Sequence, residues 1–138
     1  FALKPLVKET PPCVWAEANM RRNQILHIRL ACLRTGHEFC CSTYHMPCAY
    51  LSPGLMVIHT ALLAHSVAAF AKGSPHLLCV DGNFRPDSSS YRLITSGSLP
   101  STDPDVPPPP PAGESANSDW EVSAVPPLRS VYATWGSE

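Results

Sequence analysis

The longest apolar pattern in the chain runs over residues 53–72, PGLMVIHTALLAHSVAAFAK, and no Asp, Glu, Lys or Arg occurs between Glu38 and Lys72. Pro53 suits a first helical position, Ser52 a cap, and Lys72 with Gly73 and Pro75 a stop. The pattern predicts a helix. On a helical wheel His59 and Ser66 fall between Leu55 and Phe70, and His65 falls on a different side, so no polar face exists. A helix that is apolar all round must be enclosed by a core or by lipid. Its apolar stretch of about 17 residues lies at the lower edge of what spans a bilayer, and polar groups are costly inside lipid. The expectation is a core or partner-covered helix, with a membrane-associated helix as the alternative.

Residues 15–35, WAEANMRRNQILHIRLACLRT, contain no Gly or Pro, and Gly36 stands where a left-handed C-cap is wanted. Ile25, Ile28 and Cys32 share one helical face, with Leu26, Leu30 and Leu33 alongside, and Arg21, Arg22 and Arg29 fall opposite. This predicts a second, amphipathic helix with a basic back. Two strand candidates follow the apolar helix, at 76–80 and 91–95, separated by DGNFRPDSSS with its turn-forming Asp-Gly pair. They predict a weak β-hairpin over 76–95. The expected fold class is therefore mainly α, small and irregular, with two helices at about 15–35 and 53–72.

Composition changes the picture at both ends. Residues 1–14 carry Pro5, Pro11 and Pro12 and read as an extended arm. Beyond Gly97 the chain is rich in Pro, Ser and Asp, which predicts a disordered, acidic, Pro-rich tail over 97–138. Charge is split the same way: residues 1–96 balance at +4 and residues 97–138 at −5 within a net −1. Neither half is charged enough to announce nucleic acid, which is not expected as a partner. The low charged share of 15% against 16 prolines also fits a young or non-coding-derived frame with little selection for packing.

Candidate chemistry concentrates in HEFCCSTYHMPC, residues 37–48, expected as a loop over 36–49. His37-x2-Cys40 and His45-x2-Cys48 form two knuckle-like pairs, and zinc takes four imidazole or thiolate ligands at such spacing. His37, Cys40, His45 and Cys48 are the candidate zinc ligands. Six cysteines equally permit disulfides in a secreted chain, or a set of unpaired thiols. The apolar run starts too far along the chain for a signal peptide, so an intracellular setting is favoured.

LLCVDGN, residues 77–83, ends an apolar strand on Asp81, where metal-dependent nucleases place a first carboxylate. That chemistry needs further carboxylates on rigid elements, and the later acids lie in the expected tail, so the turn reading of Asp-Gly is preferred. No nucleophile elbow or phosphate-cradling Gly-rich loop occurs, and an enzyme is not expected. The best interaction feature is the polyproline II run of Pro107, Pro108, Pro109, Pro110 and Pro111, suited to an aromatic groove on a protein partner. Together these features predict a non-enzymatic interaction or accessory protein that docks through the apolar helix and the polyproline tail. No cofactor is expected unless zinc binds; a small zinc-binding module and a single-helix membrane-associated protein are the alternatives.

Overall fold

A computed structural model describes residues 13–110, 122 and 124–134. The elements are α1 (Val14–Met20), β1 (Ile25–Ala31), β2 (Glu38–His45), α2 (Pro53–Ala71), β3 (His76–Asp81) and α3 (Ser89–Ser96), with a 3-10 turn at Val131–Thr134. The three strands form one mixed sheet in the order β1-β2-β3, antiparallel between β1 and β2 and parallel between β2 and β3. This is an α+β fold, not the expected mainly α one.

The correction starts at residue 20. The expected helix over 15–35 stops at Met20, where Arg21 turns extended, and Ile25–Ala31 is a strand. Leu26, Ile28 and Leu30 alternate with His27 and Arg29, a period of two that suits a pleated strand as well as the helical spacing suited a helix. Pairing with β2 decides between them. Gly36 is left-handed at φ +71, but it closes a hairpin, where its N–H donates to Cys32 O at 2.7 Å. The segment expected as a Cys/His-rich loop is β2 itself, the central strand.

The second correction is the hairpin. Its first half is real as β3, paired with β2. Its second half is α3: Ser88 Oγ accepts the Tyr91 N–H at 3.2 Å, and Gly97 closes the helix at φ +84. Ser88 and Gly97 are ordinary start and stop signals, but the short apolar run between them matches strand and helix equally. At α2 the ends fall within one residue of the expected range, although Ser52 makes no side-chain cap bond.

Enclosure of α2 explains the core. One side carries Leu55, Ile58, Leu63 and Val67, which cluster with Tyr44 and Met46. The other carries Val57, Ala61 and Ala64, spaced i, i+4, i+7, against Leu93 of α3 and against Leu99 and Val125. Leu99 and Val125 belong to the region expected as a disordered tail. Its described residues are instead packed: Ser98 bridges to Ala124, and Val125 N–H donates to Gly97 O at 2.8 Å. Buried Asp103 accepts from Ser89 Oγ at 2.9 Å and from Arg92 Nη2 at 2.6 Å. The physical reason is that an all-round apolar helix needs cover on both sides, and the sheet supplies only one. Of the expected extended arm over 1–14, Val14 already belongs to α1, and residues 1–12, like 111–121, 123 and 135–138 of the tail, lie outside the described residues.

Candidate functional site

Strand geometry separates the four candidate zinc ligands. Cys40 is fully buried on the face of β2 turned to α2, whereas His45 lies exposed at the far end on the opposite face. Five strand residues put them roughly 16 Å apart along the chain. His37 sits in the hairpin turn and Cys48 is exposed beyond the strand. Among the described residues no group of three or more His, Cys, Asp or Glu is placed to hold a metal ion. Cys32, Cys40, Cys41, Cys48 and Cys79 form no disulfide.

The polyproline run is partly engaged by the protein itself. Pro107 is buried, its Cβ within 3.7 Å of the place a Gly54 side chain would take, and Pro108 O accepts the Trp15 indole N–H at 2.7 Å. Pro109 is exposed and Pro110 half-buried; Pro111 lies outside the described residues. The expected basic back is dispersed as well. Arg21 pairs with Glu17 at 2.6 Å on α1, while Arg29 lies over the Phe70 ring, 5.7 Å from its centroid. α2 is long and apolar enough to cross a membrane, but most of it is buried within the fold.

What the sheet does bring together was not singled out from the sequence. Register places Leu26, Ile28 and Leu30 of β1, Phe39, Cys41, Thr43 and His45 of β2, and Leu77, Cys79 and Asp81 of β3 on one face. Leu26 is 61% exposed, Leu77 57%, Ile28 42% and Leu30 40%. The helices lie on the opposite side, with α2 on the sheet and α1 and α3 against α2. Near the middle of the open face the Cys41 and Cys79 thiols interact, and burial together with Cys79 pushes the Cys41 thiol up. The signal for this face was the period-two alternation in β1, which the helical spacing masked.

At the ends of β2 and β3, His45 Nε2 and Asp81 Oδ2 stand 3.8 Å apart. Asn83, in a left-handed conformation at φ +48, donates its backbone N–H to Asp81 Oδ1 at 3.3 Å and its side-chain amide to Met46 O at 2.8 Å. Asn23 donates to His45 O at 2.8 Å. The C-terminal ends of parallel strands are where open α/β sheets bind ligands. This pair is therefore a polar feature in a position of chemical interest.

Inside the sheet, Ser42 Oγ bonds both His27 Nδ1 and His76 Nε2, the latter at 2.9 Å, and His27 Nε2 reaches Ser66 Oγ on α2 at 2.9 Å. A hydroxyl beside imidazoles is the arrangement of a nucleophile and its base. Ser42, however, is 1% exposed, which puts it beyond the reach of a substrate. The network ties three strands to α2. Burial lowers the pKa of both histidines, and for His76 the neighbouring His27 adds to the effect.

Compared with known proteins, the chain matches no family model and no curated protein sequence.

Proposed function

We propose that this protein is a non-enzymatic interaction or accessory protein that docks through the open face of its three-stranded sheet. The observation that carries this reading is the cluster of Leu26, Ile28, Leu30 and Leu77, each at least 40% exposed, on a face over which no helix lies among the described residues. Contiguous apolar patches of more than a few hundred Å² are rare on soluble monomers and mark interaction sites. The centre of the face carries no Lys, Arg or Glu, as the centre of an interface requires. The docking element in this reading is the sheet, since most of α2 is buried within the fold.

The test is native co-purification compared between the wild type and a Leu26→Thr, Leu77→Thr double variant. Threonine keeps strand propensity and removes apolar area. The reading expects a stoichiometric partner on the wild type that is lost from the double variant while its Tm is unchanged. Retention of the partner by the variant would sink it.

A second reading rests on His45 and Asp81, which end adjacent parallel strands on one face. A carboxylate and an imidazole at such a site suit a weakly held, largely hydrated divalent cation. Manganese titration followed by NMR would show selective broadening of His45 and Asp81 signals, abolished by Asp81→Asn. Uniform or absent broadening would exclude it.

A further inference from the structure

Among the described residues the open face is one uncovered surface of the sheet, and the outer edge of β3 is another. The Cys40 N–H donates to Pro75 O at 2.8 Å and the Met46 N–H to Asp81 O at 2.9 Å. In a parallel ladder that alternation turns the backbone groups of Leu77 and Cys79 toward β2 and those of His76, Leu78 and Val80 away from it. No further strand lies on that side among the described residues. Three N–H and C=O pairs at two-residue spacing therefore face outward, a template that a strand can satisfy.

What they face is not open solvent. A cavity of about 660 Å³ runs beside β3, walled by α3 through Tyr91 and Ile94 and by Leu128 and Arg129. Its volume lies in the range of sites that enclose a ligand, roughly 300–1,000 Å³. Gly82 helps to shape it, because a Cβ there would meet the Phe84 ring at 2.7 Å. Among the described lining residues none is acidic, and Arg129 is the one permanent charge.

We propose that this groove binds an extended peptide of a partner protein, which adds as a fourth strand to β3 and carries an acidic side chain toward Arg129. Main-chain bonds to His76, Leu78 and Val80 supply affinity, and alternate apolar side chains fill the space between Leu78, Ile94 and Leu128. Charge complementarity selects the acidic peptide over a basic one. The groove is separate from the open sheet face, and the inference does not depend on that face having a partner.

The test uses a synthetic hexapeptide, acetyl-Val-Thr-Val-Thr-Val-Glu-amide, titrated into the full chain and followed by amide hydrogen exchange. Saturating peptide is expected to slow the His76, Leu78 and Val80 amides by about tenfold or more, while Leu77 and Cys79, already bonded to β2, stay unchanged. Methylating alternate peptide nitrogens should remove the protection. Arg129→Glu, a change at an exposed residue, should weaken the Glu peptide and favour its Lys counterpart. The proposal is overturned by protection of those three amides in the free protein, since the edge would then be occupied already. It is equally overturned by absence of binding, or by equal binding of the methylated peptide. Leu26→Thr with Ile28→Thr should leave peptide binding intact, which separates this groove from the open face.

Discussion

The Tyr44 hydroxyl on β2 and His59 Nδ1 on α2 share a hydrogen bond of 2.9 Å, with both side chains at most 6% exposed. The bond joins the central strand to the core helix through an interface otherwise filled by Leu55, Ile58 and Leu63. Tyr44→Phe removes the hydroxyl and leaves an imidazole nitrogen buried without a partner. The expected cost is about 1–3 kcal/mol, read as a lower urea midpoint with an unchanged slope. A loss within error would mean that the imidazole is satisfied in another way.

Stability should fall as the pH drops below neutrality. Burial lowers the pKa of His27, His59 and His76 from an ordinary value of 6.5, and the charge of Arg21 acts in the same direction on His59. The unfolded chain therefore binds protons that the folded chain refuses. The stabilising contribution is complete above 6.5 and is lost as the pH falls from there toward the folded-state values. Thermal unfolding from pH 8 to 5 should show a decreasing Tm, and His76→Gln should flatten that slope. A Tm independent of pH over this range would contradict the buried network. At lower pH a second loss is expected at Asp103. Desolvation there is outweighed by bonds from the Asp105 N–H, Ser89 and Arg92, and the carboxyl is held below its ordinary value.

Two glycines with the same backbone separate strain from steric conflict. Gly73 and Gly97 both sit at φ +84. A Cβ on Gly73 meets nothing within 4 Å, whereas one on Gly97 meets Val125 O at 2.9 Å and Pro127 at 3.2 Å. Each Ala substitution carries the left-handed cost of about 1 kcal/mol. Gly97→Ala should cost about 1–3 kcal/mol more, because Val125 must move off α3. Equal losses in chemical denaturation would show that the segment around Val125 does not pack against the end of α3.

Trp15 tests the fate of the proline run. Its indole N–H donates to Pro108 O at 2.7 Å across the chain. Trp15→Phe removes the bond, at a cost of about 1 kcal/mol. It should also raise the proteolytic sensitivity of residues 104–110, mapped by mass spectrometry. Unchanged cleavage would mean that the segment is held without this bond, through Val106, Pro107 and the Ser89–Asp105 contact.

Two elements were legible from local chemistry alone. The start and stop of α2 are written in Pro53 and in Lys72-Gly73, and no partner is needed to read them. β3 was also legible within one residue, because the apolar run 76–80 ends in Asp-Gly. By contrast, Ile25–Ala31 carries both periodicities at once, and Ser89–Ser96 is too short for either to prevail. The zinc quartet failed for a related reason: x2 spacing brings two ligands together in a turn but divides them on a strand, and the segment is a strand.

The sequence by itself determined the existence of one helix apolar on every side, and with it the requirement that the chain cover that helix. Only the tertiary structure decided what does so. Pairing with β2 drew residues 25–31 out of a helical reading and into a sheet, because strand hydrogen bonds are made between segments and cannot be counted within one. The remaining side of α2 is covered by Leu93, Leu99 and Val125, three residues that no local pattern assigns to a core. Placing the cover on one side of the sheet left the other side, and the outer edge of β3, without a packed element among the described residues.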